Sequence, residues 1–247
     1  MYRAPAVRDR GAVRRTETGC RPDQLFGWWA VEDTRFRPMV DLARKADLEA
    51  LRAESKAAVD AGAGRPLYTL TKEGIAVVEI AGPMTKYPTS FQTLLGGTAT
   101  LRVREALRTA VRDPEVLGIM LLVDSPGGTI AGTSELADDV RRAAAKKPLY
   151  AYAQDLAASA ALWAISGARR IYANANAEVG SIGVFSVVQD TSGAYAQEGV
   201  RVYVVSSAPP LKGAGVDGSQ ITTEQLAEWE RRVKDLAAVF VDELATG

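Results

Sequence analysis

The chain has 247 residues, of which 47% are hydrophobic, and its 30 basic and 30 acidic residues cancel to a formal net charge of zero. This length suffices for one sizeable hydrophobic core plus an appendage, while the balanced charge lacks the positive field that attracts nucleic acid. The absence of histidine excludes an imidazole base, and a single cysteine, Cys20, excludes an internal disulfide.

The first 66 residues are predicted to form an N-terminal extension. Residues 1–21 are rich in arginine and typical of a flexible basic arm. A Trp-Trp pair at 28–29 precedes a segment with helix-like apolar spacing at about 38–61. Because exposed tryptophans are rare, we expect this part to pack on the body or on a neighbouring subunit. Glycines and a proline at 62–66 mark a linker.

Residues 67–247 alternate between short β-branched runs and amphipathic stretches, which predicts an α/β domain with parallel strands and right-handed crossovers. The candidate strands lie at 75–80, 117–123, 149–153, 170–173, 182–188 and 202–206. The candidate helices lie at 100–112, 133–145, 157–166 and 190–197. A last helix is predicted to start at the capping box Thr222 to Gln225 and to bury one face, formed by Leu226, Trp229, Val233, Leu236, Phe240 and Leu244.

No apolar run approaches the roughly 20 residues that span a bilayer, and the first residues, MYRAPAVRDRG, include no stretch of signal-peptide type. We therefore expect a cytoplasmic protein with no membrane segment. No metal is expected, because only carboxylates remain as ligands and their spacing matches neither an EF-hand nor a paired-acid site. No cofactor is expected either.

The first of four segments with possible chemistry is DSPGG at 124–128, directly after an apolar strand. Paired glycines at the carboxyl end of a strand let backbone N–H groups point outward, as an oxyanion hole requires. Pro-Gly is also common in ordinary turns, so this segment alone favours a structural role.

The second and third segments each present a serine. Ser159 lies among alanines at the predicted start of a helix, where its hydroxyl is approachable by a polypeptide, although a close helix contact would look the same. Ser181 is framed by Gly180 and Gly183, where it could hydrogen-bond an amine or simply complete a turn.

The fourth segment carries Lys212, the only charged residue between Arg201 and Asp217. A lysine among small and apolar residues is a candidate for partial desolvation, which lowers the pKa of an amine. Most loop lysines nevertheless simply face water.

In this order, the four segments resemble peptidase family S49, which includes signal peptide peptidases of the A type and head-maturation proteases of tailed phages. The resemblance covers about residues 74–247, including the runs GIMLLVDSPGG and EVGSIGVFSVVQD. It implies an α/β fold of the Clp protease/crotonase type, a spiral of ββα units. It also implies a homo-oligomer with active sites at subunit interfaces.

The resemblance further implies a role for each site residue. Ser159 matches the nucleophile and Lys212 the general base of a Ser-Lys dyad. Gly128 and the N–H of Ala160 match the oxyanion-hole donors, and Ser181 matches the hydroxyl that orients the lysine amine. Such a base must be uncharged when it takes the serine proton, so its pKa must lie well below the ordinary value of about 10.4.

The sequence departs from the family pattern in two places. Two prolines at 209–210 precede Lys212, which predicts a different loop path because proline fixes φ and removes an N–H. Family members generally continue beyond the last helix, so we expect the domain to be incomplete at its C-terminus.

The absence of a membrane segment favours the phage branch, with capsid or scaffold proteins as substrates and a location in the cytoplasm or inside phage procapsids. The alternative within the family is degradation of membrane-derived peptides. Two other classes stay open. One is a crotonase-like acyl-CoA enzyme that uses a carboxylate such as Asp155 or Glu178. The other is a non-catalytic capsid assembly module.

Overall fold

The computed structural model describes residues 28–45, 66–88, 96–208 and 212–246. Its strands are β1 (Trp28–Val31), β2 (Thr69–Leu70), β3 (Ile75–Ala81), β4 (Met84–Thr85), β5 (Thr98–Ala99), β6 (Gly118–Ser125), β7 (Gly127–Thr129), β8 (Leu149–Ala158), β9 (Ile171–Ala173), β10 (Glu178–Gly180) and β11 (Phe185–Ser186). Its helices are α1 (Asp33–Lys45), α2 (Thr100–Arg112), α3 (Thr133–Lys146), α4 (Ala160–Ile165), α5 (Ser192–Gln197) and α6 (Thr223–Thr246).

The larger of two sheets has the order β10-β8-β6-β3-β2, and β9 pairs with β8 as well. Strands β3, β6 and β8 run parallel, with Ile75 opposite Gly118 and Ile119 opposite Leu149. The alternate residues Ile119, Leu121 and Val123 of β6 are buried, because helices cover this central strand. The predicted α/β class with parallel strands is therefore confirmed.

Helices α2 and α3 pack against each other through a buried carboxylate. Asp139 of α3 accepts hydrogen bonds from Arg104 and Arg108 of α2, both at 2.8 Å, and from Arg142 at 3.0 Å. Burial by itself would raise the pKa of Asp139, but the hydrogen bonds and positive charges of these arginines outweigh it and lower the pKa. This cluster fixes the two helices that cover the central strands.

The smaller sheet has the order β11-β1-β7-β4-β5 and includes a strand from the N-terminal extension. Strand β1 lies between β7 and β11 and is antiparallel to both. The Trp29 ring contacts Phe36 of α1 edge-on at 5.3 Å between centroids, and Phe36 contacts Phe185 of β11 at 5.0 Å. The expectation that the tryptophan segment packs on the body is thus confirmed for Trp29.

The last helix, α6, begins with the predicted capping box. Thr222 N–H donates to Gln225 Oε1 at 3.1 Å, and Gln225 N–H donates to Thr222 Oγ1 at 3.2 Å. The predicted buried face is wrong for the first part of this helix, since Leu226 is 51% exposed. Among the described residues of α6, Phe240 alone is fully buried, because only the end of the helix rests on the body.

Several predicted elements differ from the structure. Residues 202–206 form no regular strand, and the predicted strand at 182–188 is reduced to β11. The helix predicted from residue 157 starts only at Ala160, because β8 continues to Ala158. The apolar run at 202–206 has no neighbouring strand to pair with. The residues before Ser159 instead extend β8, because they pair with strands on both sides. The basic arm, Cys20 and the predicted helix beyond residue 45 lie outside the described residues.

Two features are absent from the described part of the chain. Its helices include none that is long and apolar enough to cross a membrane. Within the same residues, no group of three or more metal-ligating side chains could hold an ion.

Candidate active site

Ser159 occupies a strained turn between β8 and α4. Its φ of 53° and ψ of −119° lie in a region that non-glycine residues rarely adopt. Such a conformation costs on the order of 1–3 kcal/mol and persists only where the surrounding structure enforces it. The side chain is 1% exposed, and its Oγ has no hydrogen-bond partner among the described residues. A buried, unpartnered hydroxyl on a strained turn indicates a functional serine.

Small residues make this turn possible. Ala157 and Ala158 before it, and Ala160 and Ala161 after it, are all at most 1% exposed. Larger side chains would not fit between the sheet and α3 at this point, because protein interiors are close-packed. The alanine-rich sequence therefore brings the backbone of the turn close to neighbouring strands.

The glycine turn after β6 lies beside Ser159 and is held by a serine of its own. Ser125 Oγ donates to the Gly82 carbonyl at 2.6 Å and accepts the Gly127 N–H at 3.2 Å. Ser125 is fully buried, and it pairs with Ala157 of β8 across a register shift in the ladder. The Ser125 hydroxyl therefore holds the start of the glycine turn in a fixed position.

Both glycines are required by close approach of other backbone. Gly127 has a φ of +94°, and a Cβ there would lie 2.8 Å from the Ala160 nitrogen. A Cβ on Gly128 would overlap the backbone of Met84. The glycine turn and the first N–H of α4 therefore border the same small space, as two oxyanion donors must.

Ser181 lies next to Ser159 across two parallel strand ends. Gly180 of β10 is opposite Ala158 of β8, and Ser159 N–H donates to the Gly180 carbonyl at 2.8 Å. Ser159 and Ser181 each directly follow this paired position, so their backbones lie about 5 Å apart. Ser181 also has a φ of 53° but is exposed. The structure brings these two predicted residues together.

Lys212 lies in an exposed turn, and its backbone N–H donates to the Ala208 carbonyl at 3.1 Å. Because Ser159 Oγ has no partner among the described residues, the amine of Lys212 is not hydrogen-bonded to it in this chain. The structure therefore brings together Ser159, Ser181, Gly128 and Ala160 but does not bring Lys212 into contact with Ser159.

The chain around Lys212 presents apolar side chains to solvent. Val205 is 98% exposed and Tyr203 is 78% exposed. Exposed apolar residues scattered singly are normal, but a group of this kind marks an interaction surface.

The carboxylates considered for acyl-CoA chemistry are both exposed. Asp155 lies on β8, four residues before Ser159, and Glu178 lies at the start of β10. Exposure leaves such groups well solvated, which is unlike the buried acid or base that this alternative requires.

Sequence analysis missed two residues that support the site. The motif presents Ser125 only as part of a turn, although its position between an apolar strand and paired glycines is a signal for a buried hydroxyl. Glu243 of α6 accepts hydrogen bonds from Trp163 Nε1 at 2.9 Å and from Ser134 Oγ at 2.7 Å. Trp163 is on the helix that follows Ser159, so Glu243 holds that helix in place, and no motif predicted it.

A strained serine between a strand and a helix, beside outward backbone N–H groups, is typical of hydrolases with a serine nucleophile. Residues 141–247 match the model of peptidase family S49. The predicted resemblance to this family is therefore confirmed over residues 141–247.

The chain is similar to curated phage proteins. The chain is 30% identical over 190 residues to the head-tail preconnector protein GP5 of Enterobacteria phage P21, covering 75% of this chain and 37% of the relative. It is 34% identical over 134 residues to the capsid assembly protease C of Escherichia phage lambda, covering 54% of this chain and 30% of the relative. The chain thus spans about a third of the length of these relatives.

Solved structures that match include an enoyl-CoA hydratase from Mycobacterium avium subsp. paratuberculosis K-10, with a TM-score of 0.38 at 18% identity, covering 72% of this chain and 79% of that one. They also include a mutant of the 1510-N membrane-bound stomatin-specific protease, with a TM-score of 0.35 at 16% identity, covering 72% of both chains. The α/β class is shown by the two sheets, while the Clp protease/crotonase type of fold stays a prediction.

Proposed function

We propose that this chain is a serine endopeptidase in which Ser159 is the nucleophile and Lys212 the general base. The observation that carries the proposal is the strained backbone of Ser159, with its buried and unpartnered hydroxyl. Strain of this kind is retained where it presents a reactive group.

The chemistry follows a Ser-Lys dyad. The uncharged amine of Lys212 takes the Ser159 proton as Oγ attacks a peptide carbonyl carbon. The N–H groups of Gly128 and Ala160 stabilise the oxyanion that develops. The lysine then gives its proton to the leaving amine, which leaves an acyl group on Ser159. In the second half, the amine takes a proton from water as the water attacks the acyl carbon, and it returns that proton to Ser159 Oγ. Ser181, next to Ser159, orients the amine.

Assembly into a homo-oligomer would complete this site. Lys212 and the apolar side chains near it are exposed, while the serine side is already formed. Packing a second copy against this surface would remove water from the lysine, and desolvation favours the uncharged amine that the reaction needs. We propose that the active sites lie at subunit interfaces and that a single chain is inactive.

The substrates that we propose are capsid or scaffold proteins of a phage, processed in the cytoplasm or inside a procapsid. Two curated relatives are a capsid assembly protease and a head-tail preconnector protein, which supports this choice over the degradation of membrane-derived peptides.

The test is incubation of the purified chain with candidate capsid and scaffold proteins, followed by mass spectrometry. We expect new termini with the wild type and none with Ser159→Ala. Because an amine accepts a proton only when it is uncharged, the rate should fall steeply below neutral pH. Equal cleavage by Ser159→Ala, or a flat profile between about pH 5 and pH 9, would contradict the dyad.

A further inference from the structure

Strand β1 from the N-terminal extension pairs directly with the strand that carries Gly128. It is paired on one side with β7, which carries the oxyanion glycine Gly128, and on the other side with β11. Peptides bind to proteases and other proteins by adding an extended strand to an exposed sheet edge. In this chain both edges next to the candidate site are already paired with a strand from the N-terminal extension.

The register of this strand places one carbonyl at the oxyanion donors. Glu32 N–H donates to the Pro126 carbonyl at 2.7 Å. Hydrogen-bonded pairs alternate along an antiparallel ladder, so the next such pair is Ala30 with Gly128, in which Gly128 N–H points at the Ala30 oxygen.

The second oxyanion donor borders the same carbonyl. A Cβ built on Gly127 would overlap the Ala30 oxygen and also lie 2.8 Å from the Ala160 nitrogen. The Ala30 oxygen and the Ala160 N–H therefore border one small space. Ser159, whose hydroxyl is buried, is the residue directly before Ala160.

Side chains anchor the strand on either side of Ala30. Ala30 itself is fully buried, while Trp29 and Val31 pack with Met39 in a small core that Phe36 and Phe185 extend. The strand is thus held in place by Trp29 before Ala30 and by Val31 after it, while Ala30 itself is small.

We propose that β1 is a built-in competitor that occupies the substrate groove, with Ala30 in the place of the residue before the scissile bond. This inference rests on the proposed function. A polypeptide can then reach Ser159 only when β1 leaves the groove. Because only the open fraction of the molecules binds substrate, the apparent KM is raised by the inverse of that fraction, and kcat is unchanged.

The test uses the full chain with fluorescently labelled β-casein as an unfolded polypeptide substrate. Ala30→Pro removes the N–H that pairs with the Gly128 carbonyl and disfavours the strand. We expect KM to fall at least about fivefold with kcat unchanged. Ala30→Gly is the matched control, because it keeps the N–H, and its KM should stay near that of the wild type.

A second variant and a peptide make the test independent of the folding of Ala30→Pro. Trp29→Ala removes the side-chain anchor and should lower KM in the same way, whereas Leu107→Ala, in the core on α2, should reduce stability without lowering KM. A synthetic peptide of residues 26–33, FGWWAVED, should inhibit Ala30→Pro competitively, and a scrambled peptide should not.

The outcomes separate the two proposals. If the wild type cleaves casein but neither variant lowers KM and the peptide does not inhibit, the competitor role is wrong and the peptidase proposal stands. If no folded form cleaves casein and a fluorophosphonate does not label Ser159, both are wrong.

Discussion

The two halves of the proposed dyad are built very differently. Ser159 is buried at the end of β8, which pairs with β6 and β10, and its N–H donates to the Gly180 carbonyl. Lys212 follows residues 201–208, which lack regular secondary structure, and its neighbours Tyr203 and Val205 are exposed. The chain therefore preorganises the proposed nucleophile by itself, whereas the proposed base would have to be positioned by a partner that covers the exposed side.

Because the serine side is packed and the lysine side is exposed, substitutions on the two sides should have different effects. Strain at Ser159 is maintained by a close-packed core, so it is present whether or not substrate binds. The lysine side has few buried contacts, and elements of that kind are the ones that move or order on binding. Changes in the serine half should act on activity and stability at once, while changes in the lysine half should act through assembly.

The largest effect is expected for Gly128→Ala. The added Cβ would overlap the Met84 backbone and displace the proposed oxyanion donor, and loss of one such donor lowers kcat about 100- to 1000-fold. Gly193→Ala is the matched control, since its Cβ meets open space near the start of α5 and should change stability by no more than about 0.5 kcal/mol. Steady-state kinetics and thermal unfolding of both variants would check this. A wild-type kcat in Gly128→Ala would show that Gly128 is not an oxyanion donor.

The next effect is expected for Phe240→Ala. Phe240 stacks on Trp163 with 4.7 Å between ring centroids, and it is fully buried. Loss of a buried phenylalanine costs about 3–5 kcal/mol. Urea unfolding would measure it, with Leu226→Ala on the exposed start of α6 as the control. Equal, small losses for the two would show that α6 does not hold the helix after Ser159.

A smaller effect is expected for Ser125→Ala. It removes the hydroxyl that bridges Gly82 and Gly127, which costs about 1–3 kcal/mol and loosens the glycine turn. Ser166→Ala is a sharp control, because Ser166 Oγ is buried with no partner among the described residues and its loss should be neutral or stabilising. The free energies of unfolding of the two variants would be compared. A larger loss for Ser166→Ala than for Ser125→Ala would contradict the stabilising role of the Ser125 hydroxyl.

The smallest effect on the single chain is expected for Val205→Ser. An exposed side chain of this kind contributes within about 0.5 kcal/mol to stability. If this surface covers the lysine side in an oligomer, the variant should instead weaken assembly, visible as a higher protein concentration for half-maximal activity. Sedimentation and activity titrations would test it, and unchanged assembly would place the interface elsewhere.

Sequence alone predicted the serine half better than the lysine half. The helix at 100–112 matches the structure, and the strand at 117–123 lies close to β6, because buried parallel strands leave continuous apolar runs. The strand before Ser159 was predicted to end at residue 153, whereas β8 continues to Ala158. The strand at 202–206 was wrong because β-branched residues indicate a strand only where a neighbour pairs with it.

Within the site, the sequence indicated which residues matter but not their geometry. The φ of Ser159 depends on how β8 meets α4, and the place of β1 beside Gly128 depends on pairing across nearly 100 residues of chain. The hydrogen bonds of Glu243 likewise join elements far apart in sequence. Contacts of this kind leave no local pattern.

The most direct measurement is the rate at which a fluorophosphonate labels Ser159 in the assembled protein. If Lys212 is the base, labelling of Lys212→Ala should be slower than that of the wild type by at least about 100-fold, and Ser159→Ala should not be labelled. Labelling of Lys212→Ala at the wild-type rate, or labelling that persists in Ser159→Ala, would contradict the dyad.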